Sequence, residues 1–357
     1  MYFAWQFGVI VTICAALMTP RAAAADKTVG TVGQVISIVR GGLASKQDDK
    51  TAKALAKLIL AERLDAVVLD HMESEGAGPR TMEELARIAD ATSELAPPTP
   101  PPAFPHPPIP SREELEAAIH HARVYALRYG TNLPNFLCDE NIVRYEDLKS
   151  KGSWDKRDTL GLRLSFEDQH EKDQLVTFNG KPTNLPLSAV AGAQTSGEFG
   201  ALMLQILDPN SHGKFRWDHW TLLRNHATQV YAYRVEAADS HYKLVFGTAY
   251  RHDETVAAME GMLYLDGETL DIVRIANRAA DIELSFPVRR ASTTLDYAAQ
   301  DVGGKRYVLP LHAEIRLSTG ELHTRNMAEF TGYRKFEGES TITYGDPEPP
   351  APGKVKH

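Results

Sequence analysis

The most regular pattern in the chain is an alternation of apolar and polar residues in its C-terminal third. Period-two alternation places the two sets of side chains on opposite faces of a β-strand. Three segments alternate without interruption, at residues 282–286, 293–297 and 311–317. Further strand candidates lie at residues 142–145, 160–166, 175–178, 230–235, 242–246, 262–265 and 270–275. The pattern predicts an antiparallel β-meander.

Turn-forming dipeptides separate several of these segments. Asn179-Gly180 is typical of a two-residue β-hairpin turn. Asp266-Gly267 and Gly303-Gly304 lie between later strand candidates. Consecutive strands are therefore expected to pair as hairpins.

Two capped amphipathic helices accompany the predicted strands. Ser111 and Glu114 form a capping box ahead of apolar residues at helical spacing, and Gly130 is expected to end that helix. A second helix over residues 198–207 is stopped by Asp208-Pro209. Large exposed apolar patches are rare on monomers, so these helices should cover the sheet. They could complete an α+β core or form a lid over a ligand cavity.

The pattern of residues 26–95 predicts helices. Asp48 or Asp49 can cap a helix that carries apolar residues as far as Met72, ended by the glycines and proline at residues 76–79. Thr81 and Glu84 then form a second capping box ahead of Leu85. A small all-α unit is expected here.

A proline-rich segment separates the helical unit from the predicted sheet. Nine of the 14 residues at 97–110 are proline, which favours an extended, semi-rigid spacer. The predicted organisation is a signal peptide at 1–25, a helical unit at 26–95, a linker at 96–110, a β-rich domain at 111–345 and a disordered tail at 346–357.

The N-terminus carries the pattern of a secretory leader. An apolar run at residues 9–18 and four alanines at 22–25 precede Asp26, which predicts cleavage between Ala25 and Asp26. The run is about half of the roughly 20 residues that a membrane span needs. We therefore expect a periplasmic or secreted protein without a transmembrane segment in the mature chain.

Charge and cysteine content narrow the function classes. The chain has a net charge of −8, and losing the single charged residue of the leader, Arg21, would give −9. This acidity argues against nucleic-acid partners. Cleavage would leave Cys138 alone, either as a small buried hydrophobe or as a thiol for intermolecular pairing, with no intramolecular disulfide.

No motif nominates a catalytic, cofactor or metal residue. The neighbouring His120 and His121 would point about 100° apart on a helix and could not easily share a metal ion. Residues 217–220 join an acid, an imidazole and two indoles, a combination that also suits an aromatic strand. A weaker alternative is a hydrolase that combines Asp218 and His219 with Cys138 or Ser196. We expect no enzyme activity and no cofactor.

Three short stretches carry a family resemblance, at residues 133–138, 196–209 and 302–310. They are Leu-Pro-Asn-Phe-Leu-Cys, Ser-Gly-Glu-Phe-Gly leading to Asp-Pro, and Val-Gly-Gly leading to Tyr-Val-Leu-Pro. Over residues 111–345 the chain resembles a family of bacterial exported proteins whose β domain is similar to the periplasmic lipoprotein-sorting, or LolA-like, superfamily. The resemblance implies an incomplete β-barrel with covering helices, an apolar interior that accepts acyl chains, and ligand transfer through opening of a lid.

The sequence thus predicts an α+β protein, with a bent antiparallel sheet or incomplete β-barrel and covering helices behind a small all-α unit. We expect it to bind a lipid, acyl chain or other apolar molecule. The alternative is a cell-envelope protein-interaction or scaffold module, in which the helical unit and linker project a partner-binding domain. The candidate cavity or lid residues are Phe199, Leu202, Met203, Ile206, Ile282, Leu284 and Phe286.

Overall fold

The computed structural model describes residues 28–148, 154–190, 200–248 and 251–336. The predicted leader with its cleavage site at Ala25 and Asp26, the candidate residue Phe199 and the predicted tail at 346–357 lie outside the described residues.

The centre of the molecule is an antiparallel sheet of eleven described strands. Their order across the sheet is β6-β5-β4-β3-β15-β14-β13-β12-β11-β8-β7, and the edge strands β6 and β7 do not pair with each other. The sheet is therefore open, and the predicted α+β fold class is confirmed. The strands are β3 Phe136–Leu148, β4 Asp155–Glu167, β5 His170–Phe178, β6 Lys181–Pro182, β7 Lys214–Leu223, β8 His226–Val235, β11 Ala258–Asp266, β12 Ile272–Ala280, β13 Arg290–Val302, β14 Lys305–Ser318 and β15 Leu322–Lys335.

The hairpin predicted at Asn179-Gly180 joins β5 and β6. Asn179 and Gly180 both have positive φ, +51° and +73°, as a two-residue turn with the twist of the flanking strands requires. The strand predicted at 242–246 is displaced from the main sheet. It forms β9 Lys243–Thr248, which pairs only with β10 Arg251–Val256 among the described strands.

Six α-helices are described. They are α1 Val32–Ser45, α2 Asp48–Leu55, α3 Ala66–Ser74, α4 Pro79–Thr92, α5 Arg112–Asn132 and α6 Ala201–Leu207. The capping box at α5 is confirmed, because the Ser111 hydroxyl accepts from the Glu114 N–H and the Glu114 carboxylate accepts from the Ser111 N–H. The helix continues two residues past the predicted stop at Gly130.

The single helix predicted from Asp48 to Met72 is wrong. It is divided into α2 and α3 by β2 Leu58–Leu60, which pairs in parallel with β1 Thr28–Gly30. The carboxylate of Glu62 also accepts the N–H of Val32 at 2.6 Å, at the start of α1. These long-range hydrogen bonds override the local helical spacing.

The capping box predicted at Thr81 and Glu84 is also wrong. Helix α4 begins at Pro79, and the Asp48 carboxylate accepts the N–H groups of Arg80 at 3.0 Å and Thr81 at 2.9 Å. Gly78 is needed beside it, since a Cβ atom there would lie 2.4 Å from the Asp48 carboxyl carbon. A residue 33 positions away therefore caps this helix.

The alternating segment at 282–286 does not form a strand. Its backbone turns, with the Phe286 N–H donating to the Glu283 carbonyl, and β13 begins only at Arg290. Pro287 has no N–H to donate to a neighbouring strand, which favours this outcome. Leu284 is 88% exposed, whereas Phe286 is buried.

The two faces of the main sheet differ in chemistry. One face, which we call the apolar face, carries buried residues such as Leu263, Ile275 and Leu295, and α5 and α6 cover it. Residues that alternate with these, such as Arg274 and Asp296, lie on the opposite face, which we call the charged face. Helices α1 to α4 have a separate apolar core, centred on residues such as Val35, Met72 and Leu85.

Candidate functional site

Helix α6 belongs to the connection between the two edge strands and lies at the apolar face. The chain leaves the sheet at β6 and re-enters it at β7, on the far edge. Helix α6 lies in this connection and contacts α5 and β8. Its Met203, Ile206 and Leu207 side chains belong to the same buried cluster as the sheet residues. The topology thus places a short helix over the face that the sequence predicted to be covered.

Helix α6 is held mainly by burial of its side chains. It starts after Gly200, whose φ is +113°, and has only seven residues. A helix of this length is marginal by itself. At its end, the Asp208 carboxylate accepts the Asn210 N–H at 2.8 Å, and the Ser211 hydroxyl donates to the Ile206 carbonyl at 3.1 Å. Loss of the apolar contacts would leave little to hold it.

Helix α5 is the second cover and is more firmly attached. Ala118, Ala122 and Ala126 share one buried face, and these small side chains let the helix approach closely. The Tyr129 hydroxyl donates to the Val308 carbonyl at 2.8 Å, which ties the end of the helix to β14. Arg123 also donates to the Gly213 carbonyl, just before β7.

Five of the six described candidate residues lie at the apolar face. Met203, Ile206 and Phe286 are buried in its cluster, and Leu202 and Ile282 pack against it half-buried. Leu284 points to solvent, so that assignment is wrong. The described part of the predicted site therefore combines α6 with the turn before β13.

A polar group of residues, absent from the sequence predictions, interrupts the apolar face. Cross-strand pairing aligns Tyr233, Gly261, Asn277 and Thr293 in one row over β8, β11, β12 and β13. The Tyr233 hydroxyl donates to Asn277 Oδ1 at 2.8 Å, and Gly261 between them has no side chain to block this contact. One feature of the sequence could have indicated a polar residue on this face. The alternation of β12 puts Asn277 on the same face as Ile275.

The Asn277 amide interacts with two buried tyrosines. Its side chain is buried, and Oδ1 accepts from the Tyr233 hydroxyl. Burial raises the pKa of Tyr242, while side-chain hydrogen bonds with Thr293 and Asn277 act in the opposite direction. Burial raises the pKa of Tyr233 well above its usual value, so both hydroxyls are neutral.

The charged face binds the helical unit. Arg274 donates to Asp70 of α3 at 2.6 Å and to Asp296 of β13 at 2.5 Å. Burial alone would lower the pKa of Arg274, but these two carboxylates raise it above its usual value. Further along the same face, Arg316 of β14 pairs with Asp90 of α4. The helical unit is therefore docked across the strands by ion pairs.

The proline-rich segment packs between the helical unit and the sheet edge. Phe104 stacks on His71 of α3, with ring centroids 3.8 Å apart and planes 6° apart. The Trp220 indole N–H of β7 donates to the Pro108 carbonyl at 3.1 Å. The segment thus runs alongside both units, and the helical unit is not held away from the sheet as the scaffold alternative expects.

The groups considered for catalysis are not brought together. Cys138 lies on β3 and His219 on the edge strand β7, with six strands between them, and Ser196 lies outside the described residues. Burial raises the pKa of the Cys138 thiol. Asp218 and His219 do form a pair at 2.7 Å, which lowers the pKa of Asp218. Within the described ranges, no group of three or more His, Cys, Asp or Glu residues is arranged to hold a metal ion.

His120 and His121 are both exposed on α5. Among the helices that the structure describes, none has the length and apolar composition to cross a membrane.

The comparisons with known proteins concern the fold. No family model matches the sequence. No curated protein matches it. The chain is similar to a LolA superfamily protein from Nitrosomonas europaea, over 64% of this chain and 97% of that one, with 9% identity and a TM-score of 0.28. It is also similar to a domain assigned to outer membrane lipoprotein sorting from Vibrio parahaemolyticus, over 63% and 92%, with 10% identity and a TM-score of 0.30.

The description of the fold as an open antiparallel sheet with covering helices rests on the strand pairing above.

Proposed function

We propose that the protein is a non-enzymatic binding protein that holds an acyl chain or another apolar ligand between α6 and the apolar face. The observation that carries this proposal is that a seven-residue helix, placed in the connection between the sheet edges, buries Met203, Ile206 and Leu207 against that face. An acyl chain presents the same kind of surface as these side chains. It can therefore take their place when α6 moves away.

The energies of this exchange predict a long chain. Exposing three buried apolar side chains costs roughly 5–9 kcal/mol, at about 1.5–3 kcal/mol each. Burying methylene groups returns about 0.8 kcal/mol each, so a chain of about 16 carbons offsets the cost and a chain of about six does not. Long-chain lipids are the ligand class that this exchange favours.

The proposed location is the periplasm or the outside of the cell, where the leader at residues 1–25 would deliver the protein. N-terminal sequencing of the protein purified from the periplasmic or culture fraction tests this. We expect Asp26 as the first residue. A protein that retains Met1 and stays with the cytoplasmic fraction would contradict it.

Native mass spectrometry tests the binding function. The protein is purified without detergent, analysed directly and then after incubation with vesicles of mixed phospholipids. We expect an adduct of lipid mass, which organic extraction identifies. Met203→Gln should tighten binding about tenfold, because a glutamine costs less to expose than a methionine when α6 moves away. Leu204→Gln is the matched control, because Leu204 lies on the same helix with its side chain 38% exposed.

Two outcomes would overturn the proposal. One is an unmodified mass both before and after incubation, which would favour the envelope-interaction module. The other is an equal effect of the two substitutions in a folded protein, because the ligand would then lie elsewhere. Thermal unfolding of both variants establishes that they are folded.

A further inference from the structure

The two ends of the main sheet differ in the side chains that they expose. At one end lie the turns that join β4 to β5, β7 to β8, β11 to β12 and β13 to β14, and these turns carry no exposed large apolar side chain. The other end, which we call the aliphatic rim, exposes aliphatic side chains in three separate segments. They are Leu148 at the end of β3, Val256 at the end of β10 and Leu284 in the turn before β13.

Strand pairing brings these three segments to the same end of the sheet. Leu148 lies opposite the start of β15, and β13 begins opposite the end of β14. The end of β12 lies opposite the start of β11, two residues after Val256. The turn at residues 281–289, which joins β12 to β13, therefore lies on the aliphatic rim.

The Leu284 side chain is exposed because its neighbours pack inward. Phe286 and Val288 are buried in the cluster at the apolar face, and Ile282 packs against that cluster half-buried. Leu284 is 88% exposed. Isolated apolar side chains are common on protein surfaces, but a leucine as exposed as this, with two more aliphatic side chains at the same end of the sheet, favours an interaction surface.

The charges of this turn are balanced. Arg289 is exposed and donates through Nη1 to the Leu284 carbonyl, a contact that does not neutralise the guanidinium. Arg290 follows it, and Asp281 and Glu283 supply two negative charges on the other side of Leu284. An exposed aliphatic side chain with a guanidinium at its base suits the interface of a bilayer, where acyl chains lie beneath phosphate groups.

We propose that the aliphatic rim docks on the surface of a phospholipid bilayer, with Leu284 inserted among the acyl chains and Arg289 at the level of the phosphates. The balanced turn and the net charge of −8 of the whole chain favour zwitterionic lipids over anionic ones. Because Phe286 is buried at the apolar face, docking through Leu284 places that face next to the bilayer. The inference goes beyond the proposed function, since it concerns the surface on which the protein docks and not the ligand that it holds.

Flotation with phosphatidylcholine vesicles tests the docking. Protein beginning at Asp26 keeps every described residue and lacks the apolar run of the predicted leader, which would otherwise contribute to binding. The wild type should float with the vesicles, and Leu284→Gln should bind about tenfold more weakly, because it loses apolar area buried in the bilayer. Val29→Gln is the matched control, because Val29 is 71% exposed on β1 of the helical unit, outside the rim. Equal effects of the two substitutions would overturn the inference.

A second measurement locates the inserted residue. Protein beginning at Asp26 has one cysteine, Cys138, and its thiol is buried. An environment-sensitive dye attached through Leu284→Cys should shift its emission to shorter wavelength on the vesicles and be quenched by nitroxides in the acyl chains. The same dye attached through Val29→Cys should keep its emission in water. An unshifted dye at position 284 in vesicle-bound protein would show that another surface holds the bilayer.

The results separate this inference from the proposed function. Ligand binding is measured by native mass spectrometry without vesicles, and Leu284→Gln should retain it, because Leu284 lies outside the buried cluster of the apolar face. A wild type that holds a ligand but does not float contradicts the docking alone and favours a protein partner at the rim. A wild type that floats through Leu284 but holds no ligand contradicts the proposed function alone.

Discussion

The two faces of the same sheet are covered in different ways. On the apolar face, α6 attaches through side chains such as Met203 and Ile206, which have no directional partner. On the charged face, the helical unit attaches through ion pairs of defined geometry, such as Arg274 with Asp70. Apolar contacts can be replaced by any apolar surface, whereas a buried ion pair that is broken leaves an unpaired charge. We therefore interpret α6 as the movable cover and the helical unit as the permanent one.

The largest effect is expected from removing a buried ion pair on the charged face. Arg274→Met leaves the buried carboxylate of Asp70 without its cation, which should destabilise the protein by about 3–5 kcal/mol. Urea denaturation measures this loss. The fluorescence of Trp220, whose indole N–H donates to Pro108, should report the detachment of the linker at lower urea than in the wild type.

Arg278→Met is the matched control for that experiment. Arg278 lies on the same strand and face and pairs with Glu260, but its side chain is 69% exposed. Exposed ion pairs contribute about 0–1 kcal/mol, so this variant should unfold almost as the wild type does. Equal losses in the two variants would mean that the charged face carries no special attachment.

The second prediction compares the two sides of the apolar interface. Leu295 is buried at the centre of β13, and Leu295→Ala should cost about 2–5 kcal/mol in global unfolding. Met203→Ala should cost less, because α6 can open locally while the sheet stays folded. Urea denaturation and hydrogen exchange of the α6 amides check this. Similar losses in both variants, with slow exchange in α6, would make the helix a permanent part of the core.

The third prediction concerns a substitution inside the helical unit. Asp48→Ala removes the carboxylate that caps α4 and should cost about 0.5–2 kcal/mol. Asp49→Ala is the control, because the Asp49 side chain is 80% exposed. If the helical unit attaches as a whole, Asp48→Ala should also shift the Trp220 fluorescence transition to lower urea concentration. An effect of Asp49→Ala as large as that of Asp48→Ala would argue against the capping role.

The stabilisation of the protein by Asp48 should decrease at acid pH. The side-chain hydrogen bond from Thr81, aided by backbone N–H groups, lowers the pKa of Asp48 below its usual value of about 3.9. The stabilisation by Asp48 is therefore complete above about pH 4 and is lost as the pH falls through the lower folded pKa. The difference between wild type and Asp48→Ala should narrow over that acid range.

The sequence predicted those features that depend on local patterns. Alternation located most strands of the sheet, and the Ser111 box located the start of α5. Long-range contacts decided the rest. The pairing of β1 with β2 and the capping of α4 by Asp48 join residues about 30 positions apart. The row of polar residues on the apolar face was missed because Tyr233, Asn277 and Thr293 become neighbours only through strand pairing.

The smallest expected effect concerns His71, at the contact between the helical unit and the proline-rich segment. Burial lowers its pKa below the usual value of about 6.5, and its ring stacks on Phe104. Glu75 acts in the opposite direction, whereas Arg40 and His219 add to the lowering.

The effect of His71 on the pH dependence of the free energy of unfolding follows from proton binding. As the pH falls through about 6.5, the unfolded chain binds a proton at His71 before the folded protein does, so the free energy of unfolding decreases. His71→Gln removes the group that binds this proton and should flatten the curve of unfolding free energy between pH 7.5 and 5. His120→Gln, at an exposed position on α5, should leave the curve close to that of the wild type. If His71→Gln keeps the wild-type slope, the contact with Phe104 does not exclude water from the imidazole, and the linker attaches more loosely than the ion pairs on the charged face.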